Sequence, residues 1–264
     1  MNRHCKIVIP ARLASTRLPE KLLRTAGGKS VLAHTYHAAC QSEIASEVII
    51  AVDDPRMAEE ADRIGARWVM TRQDCPSGTD RLAEVAIALP EADIFVNVQG
   101  DEPEIDPKVI DAVATLLIED QDADMATAGA PIRQRESLTD PSCVKIVLAA
   151  EAPERRRDLP SRCGRAIYFS RSNVPHCRDG IDEATLQAEP PAFWHHIGIY
   201  AYRQQFLQWF RQQPQGRLEQ LEKLEQLRAV EAGKRILVAH VEKATPGIDT
   251  QADLDAFLQR LERS

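Results

Sequence analysis

The chain has 264 residues, of which 44% are hydrophobic and 28% charged, a balance that supports a sizeable core and excludes the sparse hydrophobicity of disordered chains. A formal charge of -7 at pH 7 argues against a nucleic-acid or anionic-membrane partner, so any phosphate site has to be local. No run approaches the roughly 20 apolar residues of a membrane helix, the opening Met1-Asn2-Arg3-His4 lacks a signal-peptide pattern, and the six cysteines form no C-x-x-C pair, so the expectation is a cytoplasmic protein with reduced thiols.

Short β-branched runs alternate with helical periodicity, the pattern of an α/β fold with a mostly parallel sheet covered on both faces. Lys6-Ile7-Val8-Ile9 reads as a central strand, followed by a basic loop, a helix near 30–41, a strand at 47–52 and a helix near 55–65. Thr79 is expected to cap a helix carrying Leu82, Val85, Ala86 and Leu89; a strand at 94–98 and a helix at 107–119 follow. Beyond residue 123, strands near 124–129, 143–149, 165–169 and 196–202 are separated by charged or proline-bearing segments with little helix, which predicts a smaller mixed-sheet insertion. Helices near 203–212 and 217–232, a strand at 235–239 and a last helix near 250–262 restore the α/β pattern. The organisation expected is one domain over 1–264 with a subregion at about 123–215, and with 151–164 and 176–191 as its most mobile loops.

Ligands of open α/β sheets bind at the carboxyl ends of strands, so the loops after the strands carry the chemistry. The stretch from Pro10 to Lys21 gathers Arg12, Arg17 and Lys21 with two hydroxyls in an acidic protein, as a triphosphate requires; a merely solvated basic loop is the alternative. Neither G-x-G-x-x-G nor G-x-x-x-x-G-K-[ST] is present, which disfavours a dinucleotide fold or a P-loop. Gln99-Gly100-Asp101-Glu102-Pro103 and Pro246-Gly247-Ile248-Asp249-Thr250 each place an aspartate between a strand and a helix, where it can hold Mg²⁺ or simply favour the helix dipole. Ser77, Gly78 and Thr79 stand before a helix, ready to meet a base or phosphate, or to cap. On helix 217–232 the arc of Leu218, Leu221, Leu224 and Leu227 includes Glu225 and Arg228, which either pair with each other or, for Glu225, face a polar cavity that takes sugar hydroxyls. The doublet His195-His196 is open to a structural or a functional role in the same way.

Together, Ile9-Pro-Ala-Arg-Leu-Ala-Ser-Thr-Arg-Leu-Pro, Ser77-Gly-Thr-Asp-Arg-Leu-Ala-Glu84, Asn97-Val-Gln-Gly-Asp-Glu-Pro103, Tyr168-Phe-Ser-Arg171, His196-Ile-Gly-Ile-Tyr200, Leu224-Glu-Gln-Leu-Arg228 and Gly247-Ile-Asp-Thr250 resemble the 3-deoxy-manno-octulosonate cytidylyltransferase family. The resemblance implies a Rossmann-like nucleotidyltransferase fold, usually homodimeric, that uses CTP, Mg²⁺ and 3-deoxy-D-manno-octulosonate (Kdo) to make CMP-Kdo for lipopolysaccharide synthesis, with residues 123–215 including the sugar-binding and dimerisation region. Carried over, it assigns the triphosphate to Arg12, Arg17 and Lys21, the rest of the nucleotide to Ser77, Thr79, Arg81 and Gln99, and the metal to Asp101 and Asp249; Arg12, Lys21, Asp101 and Asp249 become the catalytic set. The sugar acid falls to Arg17, Arg171, His196, Tyr200, Glu225 and Gln226, with Arg171 for its carboxylate. The chain departs from the family at Glu20, commonly glycine, and at Leu22, often proline. Segment 151–164, with Arg155-Arg156-Arg157, is longer than usual, and the text around His176-Cys177 lacks the family's tryptophan. Two alternatives stay open: another acidic sugar, such as an 8-amino Kdo or a sialic acid, and a nucleotide-binding regulator without turnover.

Overall fold

The computed structural model describes residues 5–15, 17–150 and 163–263, so Thr16, the arginine run Arg155–Arg157 and most of the long loop expected at 151–164 lie outside the described residues. The chain divides into two compact units, the first comprising 1–114, 201–211 and 245–264, the second 115–200 and 212–244.

The first unit opens with β1 (Cys5–Ala11), buried along nearly its whole length as a strand covered on both faces must be. A 3-10 turn at Lys21–Leu23 and a small hairpin of β2 (Thr25–Ala26) and β3 (Lys29–Ser30) lead into α1 (Val31–Ala39), whose first turn is held by the Ser30 hydroxyl accepting the Ala33 N–H at 3.0 Å. Then come β4 (Glu47–Val52), α2 (Pro55–Arg63), β5 (Arg67–Met70), α3 (Gly78–Ala88), β6 (Ile94–Asn97) and α4 (Pro107–Glu119). Pro55 sits at the start of α2, where its missing N–H removes nothing, and Asp54 caps the same turn. Strands pair in the order β5-β4-β1-β6, all parallel, so their carboxyl ends form one edge. Strand β5 and the hairpin are elements that periodicity does not reveal, because each is too short to show a repeat.

The second unit holds β7 (Met125–Pro131), α5 (Arg135–Thr139), β8 (Lys145–Ala150), β9 (Cys163–Ser170), α6 (Glu183–Leu186) and most of β10 (Trp194–Arg203). After α7 (Gln204–Gln212) come α8 (Arg217–Glu222), α9 (Gln226–Glu231) and β11 (Ile236–His240), and α10 (Gln251–Leu261) ends the chain. Strand order is β10-β7-β11-β9-β8, with β7 and β11 parallel and β9 antiparallel to both of its neighbours. A further antiparallel pairing of Trp194 and His195 with Ile146 and Lys145 joins β10 to β8. The 176–191 segment is not a bare loop: Leu186 joins Ile132, Leu138, Cys143 and Phe193 in a small core, with Cys177 and Ile181 packed against it.

Two expectations need correction. Ser77, not Thr79, caps α3: its hydroxyl accepts the Asp80 N–H at 3.1 Å, and Thr79 is the buried second residue of the helix, its hydroxyl 3.3 Å from that of Tyr202. The single helix over 217–232 is two helices, α8 and α9, because Lys223 adopts a left-handed conformation at φ 55°. Side chains of the second unit stabilise this break, since Arg171 donates to the carbonyls of Glu222 at 2.8 Å and Lys223 at 3.4 Å, which have no helical partner. Leu221 is 70% exposed, and Arg228 reaches back across the break to Glu219, with N···O distances of 2.7 and 2.6 Å.

Gly100 shows how closely the strand-end loops approach. A Cβ there would stand 2.9 Å from the Pro10 carbonyl oxygen and 3.1 Å from Leu22 Cδ1. Gly100→Ala is expected to destabilise by about 1–3 kcal/mol, measured by chemical denaturation, because one of the atoms in the way is backbone.

Candidate active site

In the first unit, the register that sets Ala11 beside Val52 and Val8 beside Asn97 brings the loops after β1, β4 and β6 to one edge. From these loops and the segment before α10 come the charged residues. Lys21, only 12% exposed, places its Nζ between two carboxylates, in contact with Asp101 and 2.9 Å from Asp249 Oδ1. Arg17, largely exposed, also reaches Asp249 Oδ1 at 2.9 Å. The backbone ties the same loops together, with Ile248 N–H donating to the Asp101 carbonyl at 2.8 Å. Burial by itself lowers the pKa of Lys21, but Asp101 and then Asp249 raise it above its ordinary value, so the ammonium is firmly charged.

Two carboxylates that share one ammonium converge on a point where a cation is already favoured, and Asp249 is open to solvent. That donor set suits Mg²⁺, which takes one or two carboxylates and completes its octahedron with water and substrate phosphates. Among the described residues no cluster of three or more His, Cys, Asp or Glu offers a cage made of protein alone. Glu102, which the sequence analysis passed over, is half-buried beside this pair, and burial followed by the charge of Asp101 pushes its pKa up to about 8.

Arg81, expected to line the nucleotide pocket, is fully buried; its guanidinium contacts the Thr71 hydroxyl and donates to Asp53 Oδ2 at 3.1 Å. Burial lowers its pKa, Asp53 opposes that, and Arg12 stands near enough for its charge to lower the pKa further. Ser77 is committed to Asp80, and Gln99 is half-buried, its carbonyl accepting the Glu102 N–H at 3.2 Å. Glu20, where the family commonly has glycine, stands at φ 53° and ψ 33°, a conformation that explains the glycine, and its carboxylate is 2.7 Å from Arg56.

The second-unit residues expected at a sugar site cluster in part. His196 is buried, its ring 5.2 Å from that of Tyr200 and 5.1 Å from that of Phe169. Its Nε2 lies 3.0 Å from the Thr127 hydroxyl, which itself donates to backbone carbonyls, that of Ile199 at 2.7 Å being the shorter. A hydroxyl has one proton, so Nε2–H must be the donor to Thr127, which leaves Nδ1 as an acceptor. Burial drops the His196 pKa to about 3, with a smaller push from His195, so this ring is neutral.

Gln226 is buried with its amide nitrogen lacking any hydrogen-bond partner; Arg81 Nε and Asn97 Oδ1 in the first unit are in the same condition. Orphaned buried polar atoms cost about 1–3 kcal/mol each and call for a ligand or water. Arg171 is less available than the resemblance implies: besides Glu222 and Lys223 it donates to the Pro141 carbonyl at 3.0 Å, and its own N–H bonds Glu222 Oε2 at 2.9 Å. Besides Glu102, the residues Glu222, Thr127 and Asp53 escape the sequence pattern; Asp53 follows a strand directly, so the strand-end rule applies to it as well.

Two outcomes follow from this geometry. At position 20, Glu20→Gly is expected to leave the melting temperature within about 3 °C, whereas Glu20→Val, β-branched at positive φ, lowers it by about 4–8 °C. His196 titrates near 3 folded and near 6.5 unfolded, so the unfolded chain binds the extra proton between those values. Stability therefore falls as pH drops below about 6.5, at up to about 1.4 kcal/mol per unit from this group, and urea titrations at pH 7, 6 and 5 should show a shallower fall for His196→Gln.

The cytidylyltransferase family model matches residues 6–236. A 3-deoxy-manno-octulosonate cytidylyltransferase of Rhodopirellula baltica is 59% identical over 258 residues, covering 98% of each chain, and one of Cellvibrio japonicus is 44% identical, covering 97% of each. A solved structure of a CMP:2-keto-3-deoxy-manno-octonic acid synthetase complexed with CTP is 38% identical with a TM-score of 0.86, over 98% of this chain and 99% of that one. With β1, the Lys21–Asp101–Asp249 cluster and the His196–Tyr200 pair all inside that likeness, the chain has the α/β nucleotidyltransferase fold with a mixed sheet and belongs to the cytidylyltransferase family, among the 3-deoxy-manno-octulosonate cytidylyltransferases.

Proposed function

We propose that the chain transfers CMP from CTP to the anomeric hydroxyl of Kdo, releasing pyrophosphate and supplying CMP-Kdo for lipopolysaccharide synthesis. The observation that carries the reading is the convergence of Asp101, Asp249 and Lys21 at the carboxyl edge of a parallel sheet, beside the basic loop. Asp101 and Asp249 would hold Mg²⁺. The ion would supply charge neutralisation to the phosphates and polarise the attacking hydroxyl.

The chain's own residues do the remaining work. Lys21, displaced from the two aspartates, turns its ammonium to the triphosphate, and Arg12 and Arg17 add forked donors, so the negative charge that grows on the departing pyrophosphate is met by fixed positive groups. Ser77, Thr79, Arg81 and Gln99 shape the rest of the nucleotide site. In the second unit, neutral His196 offers Nδ1 to a sugar hydroxyl, the orphan Gln226 amide donates to another, and Tyr200 and Glu225 complete the polar surface, with Arg171 next to Glu222 for the acid group. A neutral imidazole suits an anionic substrate's hydroxyls because it accepts without titrating in the working range. Catalysis then rests on positioning and electrostatics, with little covalent chemistry left to the protein.

Pyrophosphate release with each of the four ribonucleoside triphosphates, with and without Kdo, tests the reading; it holds if release needs CTP and Kdo together, and fails if Kdo elicits none. Asp101→Asn and Asp249→Asn are each expected to lower kcat/KM by at least about a hundredfold while the circular dichroism spectrum is kept, because several kcal/mol of charge stabilisation depend on them.

A further inference from the structure

Behind the basic loop the first unit has a cavity of about 570 Å³, bounded on one side by Leu13, Ala14, Ser15 and Pro19 and on the other by Asp54 and Arg56. The stretch 13–15 that borders this cavity contributes no buried residue to the core, so its shape depends on the contacts that cross. One strut is the exposed Glu20–Arg56 pair at 2.7 Å, which solvent weakens. The other runs inward: Leu13 N–H donates to Asp53 Oδ1 at 3.0 Å, a half-buried bond, while Asp53 Oδ2 takes the buried Arg81 guanidinium at 3.1 Å. Arg81 in turn contacts the Thr71 hydroxyl, whose proton goes to the Val52 carbonyl at 2.8 Å. One carboxylate therefore links the ends of β5, β4 and β1 and fixes the backbone one residue beyond Arg12.

We propose that Asp53 is a positioning residue for the triphosphate loop: its two oxygens hold Leu13 N–H and the buried Arg81 together, and this sets the backbone that presents Arg12 to the phosphates. The proposal rests on the assignment of CTP to that loop. Asp53 also cancels the charge of Arg81 and leaves that of Arg12 for an anion, although the two cations stand close enough to feel each other.

Geometry and simple electrostatics predict opposite signs when the carboxylate is neutralised. Asp53→Asn has one carbonyl oxygen for two donors, and the buried cation takes it, so Leu13 N–H is released. Loss of a negative charge near a triphosphate would by itself tighten CTP; loss of the loop's shape weakens it. The expected result is a KM for CTP raised tenfold or more, with the KM for Kdo within twofold, and an equally weakened dissociation constant for inorganic tripolyphosphate. Thr71→Val, which loosens the same guanidinium but spares the Leu13 bond, serves as the control and is expected to lower the melting temperature while raising the KM for CTP clearly less than Asp53→Asn does.

An Asp53→Asn enzyme whose KM for CTP falls, or rises no more than in Thr71→Val, overturns the proposal. Amide exchange in the wild-type protein decides the matter even if the variant does not fold: Leu13 should be protected at least tenfold more than Ala14 and Ser15, and equal exchange across the three would sink the idea. Exchange and tripolyphosphate binding need no sugar and no turnover, so their outcome is separate from that of the CMP-transfer reading.

Discussion

Everything in the first unit is arranged around one buried-side ammonium shared by two aspartates that are far apart in sequence. Lys21, Asp101 and Asp249 come from the loop after β1, the loop after β6 and the approach to α10. Their meeting requires the backbone to crowd, which is why position 100 has no room for a side chain against Pro10 and Leu22. It also requires the 246–249 segment to be pinned, which the Ile248 to Asp101 backbone bond does. Two carboxylates this near each other would repel without a cation between them, and Lys21, with Arg17 on the outer side of Asp249, supplies the compensating charge. Leu22, where the family often has proline, is buried over Gly100 and gives the turn after Lys21 an apolar anchor in place of a rigid ring.

The second unit solves a different problem, which is to hold polar groups in a dry place without charging them. Thr127 fixes the tautomer of His196, and burial keeps the ring neutral. Glu222 gathers Ser170 and Arg171, while the Arg171 guanidinium covers the carbonyls that the break between α8 and α9 exposes. That break is what separates Gln226 and Glu225 from the helix before them. The strongly paired Arg228 and Glu219, both buried, then lock the two short helices in one arrangement. Such a pair is weak evidence for stability in itself, since desolvation offsets much of its attraction, but it tolerates few alternative packings.

Much of this was legible in the chain alone. The strands at 6–9, 47–52 and 94–98 and the helices at 55–65 and 107–119 are where the structure has β1, β4, β6, α2 and α4. The strands are buried on both faces of a parallel sheet and so read as unbroken apolar runs, and the helices show clear 3.6-residue patterning. The motif residues Arg17, Lys21, Asp101 and Asp249 could be named as candidates because strand ends in such sheets collect ligands, whatever the sequence between them.

What the sequence could not decide depended on partners distant along the chain. Periodicity read 217–232 as one helix, since its leucines recur at helical spacing; the left-handed turn at Lys223 is stabilised by Arg171, 52 residues away, and no local pattern encodes that. Arg81 reads as a loop-end cation, and only the packing of α3 against the strand ends buries it beneath Asp53 and Thr71. The neutrality of His196 is likewise a matter of depth and of a threonine on another strand. Amino-acid order by itself determined most of the longer elements, the family and which strand ends are chemical, because these follow from local spacing and residue type. Tertiary structure alone decided which charges meet, which are shielded and which stay available, because electrostatics and desolvation act through space and not along the chain.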